Sequence, residues 1–158
     1  MEMDLRELSR RVDVPVRRLR YVLDHGLVPQ RDWFLADNEA GTPRKFDNIT
    51  AVFIACAAFL LDAGYRRESI RDFMLAVGQL YPQGRNPLRL PLLANAITSN
   101  TDATIAIGDA THVRCTAGKK DSGWYRIGNK PTADTSYIPK VVVQVDLSQI
   151  RDLVQAES

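Results

Sequence analysis

The sequence has few of the residues on which secreted and membrane proteins depend. Cysteine occurs only twice in 158 residues, too few for the disulfide framework of a small secreted domain. The longest uncharged apolar run, residues 49–61, is well short of the roughly 20 residues that a membrane-spanning helix needs. The amino end carries no basic segment followed by an apolar one, the pattern of a signal peptide. We therefore expect a cytoplasmic protein without membrane contact.

Histidine is scarce as well. His25 and His112 are far apart, and no nucleophile motif accompanies either of them. The spacing of His112 and Cys115 invites a metal-binding interpretation, but side chains three residues apart on a strand point to opposite faces. We interpret both as structural, His25 as a helix C-terminal residue and Cys56 as a core residue. The sequence thus predicts a protein that is not an enzyme, with no metal site and no cofactor.

The net charge of only +2 is distributed unevenly. Between residues 6 and 21, six arginines stand against two acidic residues, a surplus of +4 (6 − 2), so the remaining residues sum to −2. A basic cluster of this kind steers a polyanion to one face of a protein. The alternative is an ordinary solvated helix face, since exposed arginines are common on helices.

Helical periodicity dominates the first half of the chain. Asp4 is a plausible N-cap for a short amphipathic helix, and a second helix over residues 15–25 has Pro15 in its first turn and Gly26 as its C-terminal cap. A third helix, from residues 47 or 48 to 63, is apolar almost all round. It must therefore be covered on more than one side, by the C-terminal half or by a second subunit. A fourth helix is predicted over residues 67–80.

The second half changes to the alternation of strands. Turn residues at 81–87 predict a boundary between a first domain, 1–81, and a second domain, 88–158. A short helix at 88–98 precedes four predicted strands, near 103–107, 113–115, 124–127 and 141–145. Ser148 is expected to cap a terminal helix with Ile150, Leu153 and Val154 facing inward. The predicted fold class is α+β: a mainly helical winged helix-turn-helix followed by a small α+β domain.

The first two helices, joined by a tight turn, have the form of a helix-turn-helix. In that motif the second helix enters the major groove with its N-terminal residues toward the base edges. Arg17 and Arg18 lie in its first turn, where an arginine can donate two hydrogen bonds to guanine. Arg20 and Tyr21, further along, are better placed for the phosphate backbone.

Four segments in order resemble the MerR family of bacterial regulators. Residues 8–21 (LSRRVDVPVRRLRY) are similar to the family's opening, and the likeness continues in residues 24–29 (DHGLVP), 41–47 (GTPRKFD) and 63–70 (AGYRRESI). The resemblance covers roughly residues 4–80 and implies a winged helix-turn-helix. Departures are Val22, where the family usually has a second tyrosine, Pro43 in place of an aromatic residue, and a wing a few residues longer.

The resemblance also implies a role for each basic position. The recognition helix reads the major groove, and a wing over residues 27–46 approaches the flanking backbone or minor groove. No heptad run follows residue 82, so neither the family's coiled coil nor its metal sensing is expected here. The implied DNA-binding residues are Arg17, Arg18, Arg20, Tyr21, Arg44 and Lys45.

The sequence therefore predicts a sequence-specific transcriptional regulator that binds double-stranded DNA as a homodimer. The domain at 88–158 would supply dimerisation, binding of a small-molecule or protein effector, or both. Two alternatives stay open. One is an architectural DNA-binding protein of the phage excisionase or DNA-packaging type. The other is a protein-interaction module in which the wing and the apolar residues 33–35 bind a partner protein.

Overall fold

The computed structural model describes residues 2–28, 45–80, 92–128 and 130–156. The chain forms two compact units: unit 1 comprises Met1–Arg71 and Gln149–Ser158, and unit 2 comprises Asp72–Ser148. The boundary predicted near residues 81–87 lies outside the described ranges. No helix within those ranges is long and apolar enough to cross a lipid bilayer.

Unit 1 begins with a short strand and two helices: β1 (Glu2–Asp4), α1 (Leu5–Val12) and α2 (Val16–Asp24). The predicted N-cap of α1 is confirmed, because the Asp4 carboxylate accepts a hydrogen bond from the Glu7 backbone N–H at 2.9 Å. The predicted cap after α2 is confirmed too, since Gly26 has a φ of +61°.

The second strand of unit 1, β2 (Lys45–Asp47), pairs antiparallel with β1 and leads directly into α3 (Asn48–Asp62). The Asp47 carboxylate caps α3 by accepting from the Thr50 N–H at 2.8 Å. The sequence did not predict the β1–β2 pair, because a strand of three residues is too short for alternation to be recognised.

Helix α3 is buried almost all round, as its composition predicts. Eleven of its 15 residues are buried, and it contacts α1, α2, β1 and β2 within unit 1. This burial is achieved within a single chain, with only Phe59 and Leu61 of its large apolar residues half-buried, so the apolar helix by itself is no reason to expect a second subunit. The next helix, α4 (Arg67–Val77), buries the four residues predicted to face inward: Ile70, Phe73, Met74 and Val77.

Unit 2 contains a short helix and one antiparallel sheet, and a terminal helix follows the last strand. The elements are α5 (Leu92–Ser99), β3 (Ala103–Gly108), β4 (His112–Ala117), β5 (Lys120–Asp121), β6 (Tyr125–Arg126), β7 (Thr132–Ala133), β8 (Val142–Asp146) and α6 (Leu147–Gln155). The strand order is β7-β6-β4-β3-β8, and β5 pairs with β4. The predicted α+β class and all four predicted strands are confirmed, and two strands of two residues, β5 and β7, are added.

The β3–β4 hairpin forms the centre of the sheet. Its register joins Ile105 to Cys115 and Ile107 to Val113, and all four side chains are buried on one face. The predicted turn after Gly108 is present. An added Cβ at Gly108 would lie 2.6 Å from the Tyr137 hydroxyl oxygen, so the close approach of Tyr137 requires glycine there.

The terminal helix corrects two predictions. Ser148 is not the cap of α6, which begins at Leu147. The Ser148 hydroxyl instead accepts from the Ala103 N–H at 2.6 Å and donates to the Ala103 carbonyl at 3.2 Å. Leu153 was predicted to face inward but is 44% exposed, whereas Ile150 and Val154 are buried. With Ile150 and Val154 four residues apart on the inner face, the helical period turns Leu153 outward.

His112 occupies a polar and aromatic cluster beside the β3–β4 turn. Its Nδ1 is hydrogen-bonded to Thr111 Oγ1 at 2.8 Å and its Nε2 to Asp134 Oδ2 at 2.9 Å. The ring stacks on Tyr137 with centroids 3.6 Å apart. The Tyr137 hydroxyl donates to Asp109 at 2.6 Å. The hydrogen bond from His112 lowers the pKa of Asp134, and partial burial together with Asp109 raises that of Tyr137 to about 12. These contacts fasten the segment before β8 to the hairpin turn, a structural role for His112.

Candidate nucleic-acid interface

The turn between α1 and α2 is short and held by several hydrogen bonds. Asp13 adopts the left-handed conformation at φ +54°, and its backbone N–H bonds to the Ser9 carbonyl. The Ser9 hydroxyl donates to the Val14 carbonyl at 2.5 Å, and the Val14 N–H donates back to the Ser9 carbonyl at 3.3 Å. Val12 and Val14 are buried on either side. The angle between α1 and α2 is therefore fixed by both packing and polar contacts.

Helix α2 begins immediately after Pro15. Proline lacks an N–H, and its carbonyl accepts from Arg18 N at 2.9 Å and Leu19 N at 3.2 Å. No side chain caps the first turn of α2. The positive end of the helix dipole thus lies next to Arg17 and Arg18 without a covering carboxylate from the cap position.

The orientation of α2 is set by two fully buried residues, Leu19 and Val22. The sequence placed Val16, Leu19 and Leu23 on the inner face. In the structure Val16 and Leu23 are only half-buried, and Val22 lies deeper than either. The opposite face is exposed and consists of the four predicted DNA-binding residues of this helix, Arg17, Arg18, Arg20 and Tyr21.

Two of the three arginines on α1 share one carboxylate, that of Glu7. Glu7 accepts from Arg10 Nη2 at 2.5 Å and from Arg11 Nε at 2.7 Å, and Arg11 also donates to the Val154 carbonyl at 2.6 Å. The hydrogen bonds from Arg10 and then Arg11 lower the pKa of Glu7 to about 2. The guanidinium groups of Arg10 and Arg11 are therefore already engaged in contacts within unit 1.

The arginines of α2 divide into two kinds. Arg18 forms an ion pair with Asp62, the last residue of α3. Arg17 and Arg20 are exposed and have no hydrogen-bond or ionic partner among the described residues. The predicted set thus contains one arginine held in place and two whose donors are available to a ligand.

Tyr21 is 37% exposed, and its ring stacks on His25 with centroids 3.9 Å apart. His25 Nδ1 donates to the Tyr21 carbonyl at 3.0 Å, which confirms its interpretation as a helix C-terminal residue. Arg67 donates to the Glu68 carboxylate at 3.1 Å, and this contact, followed by the nearby Tyr21, raises the pKa of Arg67. Tyr21 is therefore stacked on His25 while part of it stays exposed.

Two concave surfaces flank the exposed face of α2. One, of about 380 Å³, is lined by Arg17, Arg18 and Tyr21, together with Pro15 and Leu61. The other, of about 490 Å³, is lined by two arginines and two aspartates in addition to apolar residues: Arg6, Arg20, Asp4 and Asp24. Among the described residues that line the first, both charged ones are arginines, although Arg18 is paired with Asp62 beside it. The second has charges of both signs, so the first is the better site for an anion.

The wing contributes one described site residue. Arg44 and the apolar residues 33–35 lie outside the described ranges. Lys45 is exposed at the start of β2, opposite Asp4 of β1 in the register. Its neighbour Phe46 is buried, so the strand anchors Lys45 to unit 1.

Sequence reasoning missed the acidic partners of this surface. The contacts of Glu7 with arginines three and four positions later follow from helical spacing and could have been predicted. The pairing of Arg18 with Asp62 could not, because it depends on how α2 packs against α3.

Within the described ranges, no group of three or more His, Cys, Asp or Glu side chains is arranged to hold a metal ion. Identification of this surface therefore rests on its own charges and geometry. Comparison with models of protein families, with curated proteins and with solved structures finds no match to this chain.

Proposed function

We propose that this protein binds double-stranded DNA by inserting α2 into the major groove, as a MerR-like transcriptional regulator does. The observation that carries the proposal is a pair of exposed arginines, Arg17 and Arg20, that have no partner in the part of the chain that the structure describes. They lie on a helix whose other face is buried and whose orientation is fixed by a tight turn. That combination leaves guanidinium donors available on a rigid support, the condition for base and phosphate recognition.

Each residue of the surface then has a distinct role. Arg17, exposed in the first turn, donates to a base edge, with guanine the preferred acceptor. Arg18, held by Asp62, and the uncapped start of α2 lie beside a backbone phosphate. Arg20 and Tyr21 contact the phosphates further along. Arg44 and Lys45 of the wing contact the flanking backbone or minor groove.

The likeness to the MerR family supports the proposal through the order of its motifs. Val22, where that family usually carries a tyrosine, is fully buried, so this departure removes no exposed contact. The protein acts in the cytoplasm as a homodimer without a cofactor or a catalytic role. Unit 2 supplies dimerisation, binding of an effector, or both.

The test is fluorescence anisotropy of the full chain on a pool of random duplexes across a salt series. Affinity should fall steeply with salt, and each phosphate contact removed should reduce the slope of log K against log salt by about 1. On a site selected from the pool, Arg17→Ala should cost about 1–3 kcal/mol and relax the preference at one base pair. The control is Arg126→Ala, which removes the same charge from an exposed position of unit 2.

Absence of binding at low salt would contradict the proposal and favour the protein-interaction module. Equal losses for Arg17→Ala and Arg126→Ala would contradict the assignment of α2. A long, bent and weakly sequence-dependent footprint would indicate the architectural alternative instead of promoter recognition.

A further inference from the structure

Strand β8 forms one edge of the sheet in unit 2. Among the described strands it pairs only with β3. The residues at and before it include most of the large apolar side chains that are exposed in the described chain: Ile138 at 83%, Val141 at 63%, Val142 at 43% and Val143 at 40%. Natural edge strands are usually protected by a proline, a charge or a bulge. Residues 141–145 contain none of these, and the proline and charges of this segment stand at its two ends, Pro139 and Lys140 before it and Asp146 after it.

The backbone of β8 has a defined set of groups facing the open edge. Asp109 N donates to the Val141 carbonyl at 2.8 Å, one step beyond the Gly108–Val142 pair of the β3–β8 register. Antiparallel ladders alternate between bonded and non-bonded pairs, so the peptide groups of Val143 and Val145 also point toward β3. The peptide groups of Val142 and Gln144 consequently point away from the sheet.

The sequence of this edge is complementary to itself when it is reversed. Residues 140–146 read KVVVQVD, with a lysine at one end, an aspartate at the other and Val143 at the centre. In an antiparallel pair of two copies centred on Val143, Lys140 lies opposite Asp146 of the other copy. Val142 lies opposite Gln144, and these are the residues whose peptide groups face outward, so the hydrogen-bonding pattern and the charges agree in one register.

Other registers satisfy fewer of these conditions. Centring the pair on Gln144 places Asp146 opposite Val142 and leaves Lys140 without an opposing carboxylate. A register shifted by one residue sets outward-facing peptide groups against groups that already bond to β3. The register centred on Val143 is therefore the one in which the backbone, the valines and the charges are all matched.

We propose that β8 pairs with β8 of a second copy of this chain, about a two-fold axis at Val143, to form one continuous antiparallel sheet across the dimer. Val141, Val143 and Val145 of each copy then form a single apolar row on one face. In the β3–β8 register Val143 and Val145 stand beside the buried Ile107 and Ile105, so the row extends the core face of the sheet. The pairing uses the β8 edge of each copy about a two-fold axis, so it joins two copies into a closed dimer.

This inference identifies the surface for the homodimer in the proposed function, but it is tested on protein alone, without DNA. Sedimentation equilibrium of the full chain should show a monomer–dimer equilibrium with a Kd on the order of 10 µM, as expected for a small interface. A chain that stays monomeric at concentrations well above that value would overturn the proposal, whatever its affinity for DNA.

The register is tested by reversing one charge at a time. Lys140→Asp and Asp146→Lys should each raise the Kd at least about 10-fold, because like charges then lie opposite each other twice in each homodimer. An equimolar mixture of the two variants should recover the wild-type Kd, since every pair in the heterodimer is again of opposite charge. A mixture that associates no better than either variant alone would overturn the register.

A second pair of variants tests the backbone without altering Asp146, which immediately precedes α6. Gln144→Pro removes an N–H that faces the open edge, and Gln144→Ala keeps it. We expect the proline variant to be monomeric and the alanine variant to remain dimeric, with unchanged circular dichroism in both. A Gln144→Pro variant that is folded and still dimeric would show that another surface joins the copies and would overturn the proposal.

Discussion

Arg17 and Arg18 are neighbours in sequence and carry the same charge, but within the described ranges only Arg18 has an acidic partner. The Asp62 carboxylate fixes the guanidinium of Arg18 at the side of α2 and offsets its charge. Exposed ion pairs contribute little to stability, so the main consequence of this one concerns binding: it orients a donor beside the candidate anion site.

Replacing Asp62 tests that consequence. Asp62→Asn should strengthen binding to duplex DNA by roughly 2- to 10-fold at low salt, because it removes a negative charge next to the phosphate backbone. The gain should diminish as salt is added. Anisotropy titrations measure the effect, with Asp102→Asn, an exposed carboxylate of unit 2, as the charge-matched control. Weaker binding of Asp62→Asn would contradict this expectation. It would mean that orientation of the Arg18 guanidinium by Asp62 favours binding more than the negative charge of Asp62 opposes it.

Glu7 gives unit 1 a dependence on acid. Its contacts with Arg10 and Arg11 lower its pKa from 4.5 to about 2 in the folded protein. Since the folded value is the lower one, the stabilisation is present above pH 4.5 and is lost as the pH falls toward 2. Glu7→Gln should therefore lower the melting temperature at pH 7 and make no difference near pH 2. Thermal denaturation followed by circular dichroism measures both melting temperatures at the two pH values. A difference between wild type and Glu7→Gln that is the same at both pH values would show that these contacts are not its cause.

At the level of elements, the β3–β4 turn depends on a close approach that only glycine permits. Gly108→Ala would place a methyl group 2.6 Å from the Tyr137 hydroxyl oxygen and 3.1 Å from the Trp124 ring. We expect a loss of about 1–3 kcal/mol of unfolding free energy in urea denaturation, together with a change in tryptophan fluorescence. Combining Gly108→Ala with Tyr137→Phe should recover part of the loss, because the closest atom is removed. If the losses of unfolding free energy of the two single variants simply added in the double variant, the strain would not arise from the contact with the Tyr137 hydroxyl.

The elements also show how far sequence reasoning extends. Helices α1 to α4 were predicted because apolar spacing of 3.6 residues is a local signal, and so were the cap Asp4 of α1 and the cap Gly26 after α2. The capping of α3 by Asp47 was not predicted. The pairing of β1 with β2 and the contact of Ser148 with Ala103 depend on residues about 45 positions apart, and no local pattern encodes them. On α2, the four residues predicted to bind DNA are all exposed. The division into paired and unpaired arginines required the packed structure.

For the whole molecule, the structure changes the reason for expecting a dimer. The sequence motivated a dimer by the apolar surface of α3, but most of that helix is already buried within one chain. The edge of the sheet at β8 provides a different reason for association, and it belongs to unit 2. We propose recognition of DNA for unit 1 and self-association for unit 2, so independent substitutions should remove each of them.

Each unit contains one buried cysteine, whose rate of alkylation can report how often that unit opens. Cys56 lies in unit 1 and Cys115 in unit 2, and neither side chain is exposed to solvent. Burial raises the pKa of Cys56 to about 12, so reaction of this thiol with an alkylating reagent has to wait until the surrounding structure opens. In Cys115→Ser the rate of alkylation should report the opening of unit 1, and in Cys56→Ser that of unit 2. Rapid alkylation of either variant in native buffer would contradict this. Equal rates would show that the two units open together. Mass spectrometry of the intact protein measures these rates from the mass that alkylation adds.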